Sequence, residues 1–245
     1  RLNPPEITEE VNIIVSTWPS SRWLSEKLSI INNINALVNY PFPGTYLKKL
    51  VKKFIGIDPN EKDQWEKNHL VWNILELLPE LIKKEEAQII KSWYIKSKKD
   101  NDHINLTSWD LANHIADIFD DYILYRPDII KQWLSKNKKK ASSDISANKN
   151  VLWQETLFNL LHEKINKDPF CIQAEKAIEF LKKNDISKVD YPKNLYIYGL
   201  SSLAPLQIDL IQAFSKVINI KIYLISPCNN LWQRCETRRL QFRNS

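Results

Sequence analysis

A chain of 245 residues with 43% hydrophobic side chains can build one large folded domain or two modest ones, and its 11% aromatic content argues against a disordered chain. Lysine and arginine exceed aspartate and glutamate by 35 to 29, a net +6 that makes a polyanion or an acidic protein surface a plausible partner. Cys171, Cys228 and Cys235 form no C-x-x-C pair, and no run approaches the roughly eighteen apolar residues of a membrane span, so neither a disulfide framework, a zinc site nor a membrane protein is indicated.

The opening RLNPPEITEE lacks the apolar segment of a signal peptide, which makes a reducing cytoplasm the expected location. The absence of any methionine, initiator included, reads as a piece of a longer polypeptide. The β-branched run NIIVST, 12 to 17, predicts a buried strand, and Pro19 followed by SSRWLSEKLSII predicts a helix. PFPG at 41 to 44 breaks the chain. TYLKKLVKKFIG then places Tyr46, Leu47, Leu50, Val51 and Phe54 at helical spacing with lysines opposite, ending at Gly56.

From about 61 to 183 the periodicity is almost wholly helical, from EKDQWEKNHLVWNILELLPELI through TSWDLANHIADIFDDYILY to QAEKAIEFLKK. Within this block KNKKKASSDISANKN, 136 to 150, is polar and reads as a loop. Strand signals return in NLYIYGLSS, 194 to 202, and IKIYLIS, 220 to 226, with the helical APLQIDLIQAFSKVI between them. Strand, helix, strand over this length is the βαβ pattern of a parallel sheet. The expected fold is α/β: a discontinuous domain of residues 1–60 and 190–245, interrupted by an all-helical insertion at 61–189.

Gly44, Gly56 and Gly199 are the only glycines, so neither G-x-x-x-x-G-K-[ST] nor G-x-G-x-x-G can be written in this chain. A backbone nest for pyrophosphate needs glycine where side chains would block the approach, and nucleotide hydrolysis by this chain is not expected. His69, His103, His114 and His162 fall in or beside helical segments with no nucleophile signature, and read as surface or satisfied core histidines.

In ADIFDDYILYRPDII, 116 to 130, Leu111, Ile115, Ile118, Phe119, Tyr122 and Ile123 recur at helical spacing toward a core, leaving Asp117, Asp120 and Asp121 on a common side. Three readings stand: a solvated helix face, a metal site, for which a second acidic cluster is missing, or a nucleic-acid surface on which carboxylates accept from base amino groups. Arg126 precedes Pro127 and so sits at a break between helices, free to cap carbonyls, pair with Asp120 or Asp121, or reach a phosphate. Aromatic and basic residues alternate at Trp18 with Arg22 and Trp23, at Tyr46 with Lys48 and Lys49, and in RRLQFR. Such pairs suit a DNA strand, and equally a helix that buries its ring and snorkels its lysine.

Three segments together resemble one family. NIIVSTWPSSRWLSEKLS with YPFPGTYL, ADIFDDYILYRPDIIKQW, and NLYIYGLSSLAPLQIDLIQAF with IKIYLISPCNNLW are similar, in order and spacing, to the amino-terminal part of RecC, the gamma subunit of exodeoxyribonuclease V (the RecBCD helicase-nuclease). The FD-x-Y-x-x-YRPD and SPC-x-x-x-W elements are the most specific. The resemblance implies an inactive relative of a superfamily 1 helicase domain, P-loop NTPase-like without the P-loop and carrying a helical insertion. It also implies a non-catalytic subunit that splits duplex DNA, guides single strands through tunnels and scans one strand for a Chi sequence.

The DNA-binding residues it carries over are Ser16, Trp18, Arg22, Phe42, Lys48, Asp117, Ile118, Asp120, Asp121 and Arg126. Where the best-known version of this surface has amides and a tryptophan, this chain has Ser16, Arg22, Asp121 and Lys48. The implied partners are double-stranded DNA ends, single-stranded DNA, a RecB-type subunit and a RecD-type subunit. ATP and magnesium are expected only in those partner subunits, and no cofactor, metal or catalytic residue is expected in this chain. The implied location is the nucleoid-associated cytoplasm, and the implied process is double-strand-break repair and homologous recombination. A scaffold that holds the motor and nuclease subunit with little direct DNA reading is the alternative, and an independent enzyme a third.

Overall fold

The computed structural model describes residues 10–33, 35–92, 106–135, 149–183, 189–200 and 202–224. Segments singled out above in RRLQFR and SPC-x-x-x-W, along with His103, Cys228, Cys235 and nearly all of the lysine-rich stretch 136–150, lie outside them. The fold is α/β, with a four-stranded, all-parallel sheet in the order β2-β1-β3-β4.

The strands are β1 (Val11–Val15), β2 (Val38–Asn39), β3 (Asn194–Tyr198) and β4 (Asn219–Tyr223). Helix α1 (Trp18–Asn32) follows β1, and α2 (Pro43–Phe54) follows β2. Then come α3 (Lys67–Leu81), a 3-10 turn (Glu85–Ala87) and the start of α4 at 88–92. Helices α5 (Leu106–Tyr125), α6 (Pro127–Leu134), α7 (Lys149–Ile165) and α8 (Phe170–Lys183) complete the helical block, and α9 (Pro205–Phe214) joins β3 to β4.

The chain divides into two compact units, with the sheet and α1 in one: residues up to 46, 192–203 and from 215 onward. The other holds 47–191 and 204–214. In the first unit Ile14 and Val15 of β1, Leu195 and Ile197 of β3, and Ile218 before β4 are buried. Burial alternates along β3, with Asn194, Tyr196 and Tyr198 only partly covered, as the period of a strand requires. Strands occur where 12–17, 194–202 and 220–226 led one to expect them, but β1 and β3 end earlier, at Val15 and Tyr198, β4 ends at Tyr223 with 225–226 outside the described residues, and β2 adds a two-residue strand that the sequence does not announce. Val38 and Asn39 pair with Val11 and Asn12, and the ladder is extended by Val11 N–H to Leu37 O at 2.9 Å and Val15 N–H to Pro41 O at 3.1 Å.

In the second unit Phe158 of α7 is the hub of an aromatic core. Trp65 stacks on it at 4.9 Å, Phe119 meets it edge-on at 5.2 Å, and Trp133 lies at 5.6 Å. Trp65 is almost fully buried, and its indole N–H donates to the Lys167 carbonyl at 2.8 Å, which satisfies the one polar atom the ring carries inside. α2 buries Leu47, Leu50, Val51 and Phe54 as expected, but its lysine face is not wholly wet. Lys52 is buried, and its ammonium donates to the Glu61 carbonyl at 2.6 Å. Burial pushes the Cys171 thiol up to about 12, so it stays protonated at neutral pH.

Candidate nucleic-acid interface

In a parallel sheet ligands bind outside the carboxyl ends of the strands, where the winding direction reverses. Here that point lies between β1 and β3. From β1 the chain moves outward through α1 to β2, and from β3 it moves the other way through α9 to β4.

Ser16, immediately after β1, donates from Oγ to the carbonyl of Gly199, immediately after β3, in a long contact of 3.5 Å. Gly199 has φ +63, the left-handed conformation that favours glycine. Its N–H is taken by the Tyr223 carbonyl at 2.9 Å. Gly199 therefore spends its amide on its own sheet.

α1 starts at this edge because Thr17 caps it. The Thr17 Oγ1 accepts from Ser20 N–H at 3.4 Å, and Pro19 supplies a preset φ in the first turn. Trp18 is 65% exposed, and Arg22 one turn later is exposed without an ion-pair partner among the described residues. Trp23 is half exposed and stacks on Tyr198 at 6.2 Å. Phe42 follows β2, is exposed, and its carbonyl accepts the Tyr46 N–H at 3.0 Å. Of the expected contact residues, Ser16, Trp18, Arg22 and Phe42 therefore belong to the first unit, beyond the carboxyl ends of β1 and β2.

Lys48, Asp117, Ile118, Asp120, Asp121 and Arg126 belong to the second unit. Lys48 is not free: its ammonium pairs with Asp63 at 3.0 Å and lies 5.7 Å above the Phe170 ring. Asp63 is held in turn, its other oxygen accepting the Trp65 N–H at 3.0 Å. Asp117 pairs with Lys67 of α3 at 2.6 Å across the α3–α5 packing. Asp120 is half-buried, and burial raises its carboxyl above the usual carboxylate range. The Lys48 ammonium pulls it back, while Asp121, Asp63 and Asp117 push it further up.

Ile115, Phe119 and Ile123 face the core as expected, but Ile118 is 39% exposed, because it falls on the aspartate side of α5. Arg126 takes the N-cap position of α6 with φ −131, driven out of helical conformation by Pro127, and its N–H donates to the Tyr122 carbonyl at 2.9 Å. Its guanidinium is exposed and has no ion-pair partner among the described residues, so of the three uses open to it, pairing with Asp120 or Asp121 does not form.

Asp63, Lys67 and Tyr198 carried no sequence signal. Each is assigned by packing across tens of residues, which spacing along one element cannot show. Among the described residues no cluster of His, Cys, Asp or Glu could hold a metal ion, and no helix is long and apolar enough to cross a membrane. A cavity of about 370 Å³ in the second unit is lined by Trp65, His162 and the pairs Lys167 with Glu61 and Lys176 with Asp168, so its charges largely compensate one another.

The family model described as "RecC, N-terminal domain" matches residues 1–245. The RecBCD enzyme subunit RecC of Escherichia coli (strain K12) is 27% identical over 237 residues, covering 95% of this chain and 20% of that protein. The subunit of the same name from Haemophilus influenzae is 24% identical over 260 residues, 99% of this chain and 23% of the relative. That from Mycolicibacterium smegmatis is 23% identical over 229 residues, 93% of this chain and 19% of the relative. The chain thus spans about a fifth of the length of the curated relatives it matches. With the whole chain matched by one family model, this protein belongs to the RecC N-terminal domain family.

Proposed function

We propose that this chain is the DNA-guiding part of a non-catalytic subunit in an exodeoxyribonuclease V assembly, acting in double-strand-break repair and homologous recombination. The domain reading that goes with it is an inactive helicase-like α/β domain, 1–60 with 190–245, and a helical insertion at 61–189. RecB-type and RecD-type subunits are the proposed protein partners. They would bring the ATP, magnesium and chemistry, while this chain separates strands and scans one of them for a Chi sequence in the nucleoid.

The observation that carries the reading is the switch point of the sheet, bordered by exposed Trp18 and Arg22, in a chain of the RecC family that can write no glycine-rich phosphate loop. Rings there suit bases and a free guanidinium suits phosphate, a combination that tracks a strand without hydrolysing anything. In the second unit, Asp120, Asp121 and Arg126 offer carboxylates to base amino groups and a cation to the backbone.

The scaffold reading draws support from α1, which exposes Ile30 and Ile31 at its far end, apolar surface better suited to a protein than to DNA. The discriminating experiment uses the full-length subunit assembled with its partners, comparing wild type with Asp120→Ala and Arg126→Ala. Unwinding that persists while sequence-dependent cutting along a long duplex changes is the expected result. Unchanged unwinding and cutting in a stable complex would favour the scaffold.

A further inference from the structure

Trp23 is half exposed, and its ring stacks on a neighbour. It lies 20° from parallel to Tyr198, which ends β3 in register with Val15 of β1 and Tyr223 of β4. The pair is thus anchored at the point where the strand order reverses. Large aromatics gain most by burial, so a half-exposed tryptophan packed against a tyrosine at the carboxyl end of a central strand presents a flat apolar surface already orientated. Orientation matters because a ring already packed against a neighbour loses less rotamer freedom on capturing a ligand than a loose one does.

The surroundings select what such a surface accepts. Arg22 is adjacent and without an ion-pair partner among the described residues, and Trp18 is exposed one turn back. The described residues of this unit carry Arg22, Lys27, Lys193, Lys216 and Lys221 against Glu10 and Glu26 alone, so the local field is cationic. Flat, apolar and cationic together describe a receptor for a planar group tied to an anion.

We propose that Trp23 and Tyr198 form a base-stacking platform for one nucleotide of a single DNA strand, with Arg22 holding the adjoining phosphate. The proposal rests on the DNA-guiding reading above and adds two contact residues that the family resemblance did not supply. Stacking reads any base, so the platform grips the strand in register without selecting sequence, and selection is left to the carboxylates of α5.

The test uses the full-length subunit in its helicase-nuclease complex and single-stranded oligonucleotides bearing iodouracil, which crosslinks to rings stacked on it, with the crosslinked peptides identified by mass spectrometry. Crosslinks at Trp23 or Tyr198, with binding about tenfold weaker for Trp23→Leu and largely restored by Trp23→Phe, are expected. Crosslinks confined to other peptides, with Trp23→Leu binding as wild type does, would overturn the platform and leave the DNA-guiding reading standing. Failure of the wild-type complex to bind single strands in a salt-dependent way would overturn that reading and the platform with it. Where Trp23→Leu does not assemble, the wild-type crosslink map decides, since it needs no variant.

Discussion

At Asp120 a carboxyl sits half-buried on α5, with Asp63, Asp117 and Asp121 nearby and only Lys48 to offset them, and its pKa is raised above the ordinary value, chiefly by burial. The unfolded chain ionises this group at its ordinary pKa, whereas the folded protein holds the proton to higher pH. The stability tied to protonation is therefore complete below the ordinary value and lost as pH rises through the raised one, so the ionised group is a cost at neutral pH. Asp120→Asn should raise the melting temperature at pH 7, with the gain disappearing below the ordinary carboxylate range. A loss at neutral pH, or an equal gain at both, would show that Asp120 is held by something other than this balance. Part of this was legible: helical spacing put three aspartates on one side of α5. Their partners were not, because Lys67 and the Lys48–Asp63 pair arrive through the packing of α2, α3 and α5, and no single stretch encodes that.

Helix α1 buries a single residue, Ser21, whose hydroxyl donates to the Trp18 carbonyl at 2.7 Å. With so little apolar burial its stability leans on its start signal more than on packing. Thr17→Ala removes the cap and should cost about 1 kcal/mol. The change should appear as faster hydrogen exchange in the first turn of α1 and a lower melting temperature, whereas unaltered exchange would mean that Pro19 alone sets the helix start. The elements with a strong period, β1, α2, α5, β3 and β4, could be read directly. β2 could not, since two residues between an asparagine-rich stretch and PFPG give no alternation to detect. α3 begins at Lys67 rather than at 61 because Asp63 turns the chain, its carboxylate accepting the Trp65 N–H and its carbonyl the Glu66 N–H at 3.2 Å. Pro79 sits inside α3 without ending it at once, as Ile82 N–H still reaches the Leu78 carbonyl at 3.0 Å.

Over the whole molecule, charge and glycine content set the behaviour more than any one contact. An excess of cations predicts DNA affinity that falls steeply with salt, and Arg22→Ala should lower the slope of log affinity against log salt by about one, the signature of a lost phosphate contact. An unchanged slope would place Arg22 outside the DNA path. The fold class was legible because strand composition returns after a long helical block. The division at 46 and 47 was not, because α2 reads as one amphipathic helix and only its neighbours assign its parts. The same return has a consequence during translation. β1 must wait for β3, and Ser16 for a partner 183 residues later, which at a ribosomal pace of about 5–20 residues per second is roughly ten to forty seconds. The helices between can collapse as they emerge, while the first strand is left with an unpaired edge. A chain built this way is most vulnerable to misassociation before β3 leaves the ribosome, so slowed elongation anywhere between β1 and β3 should lower its soluble yield.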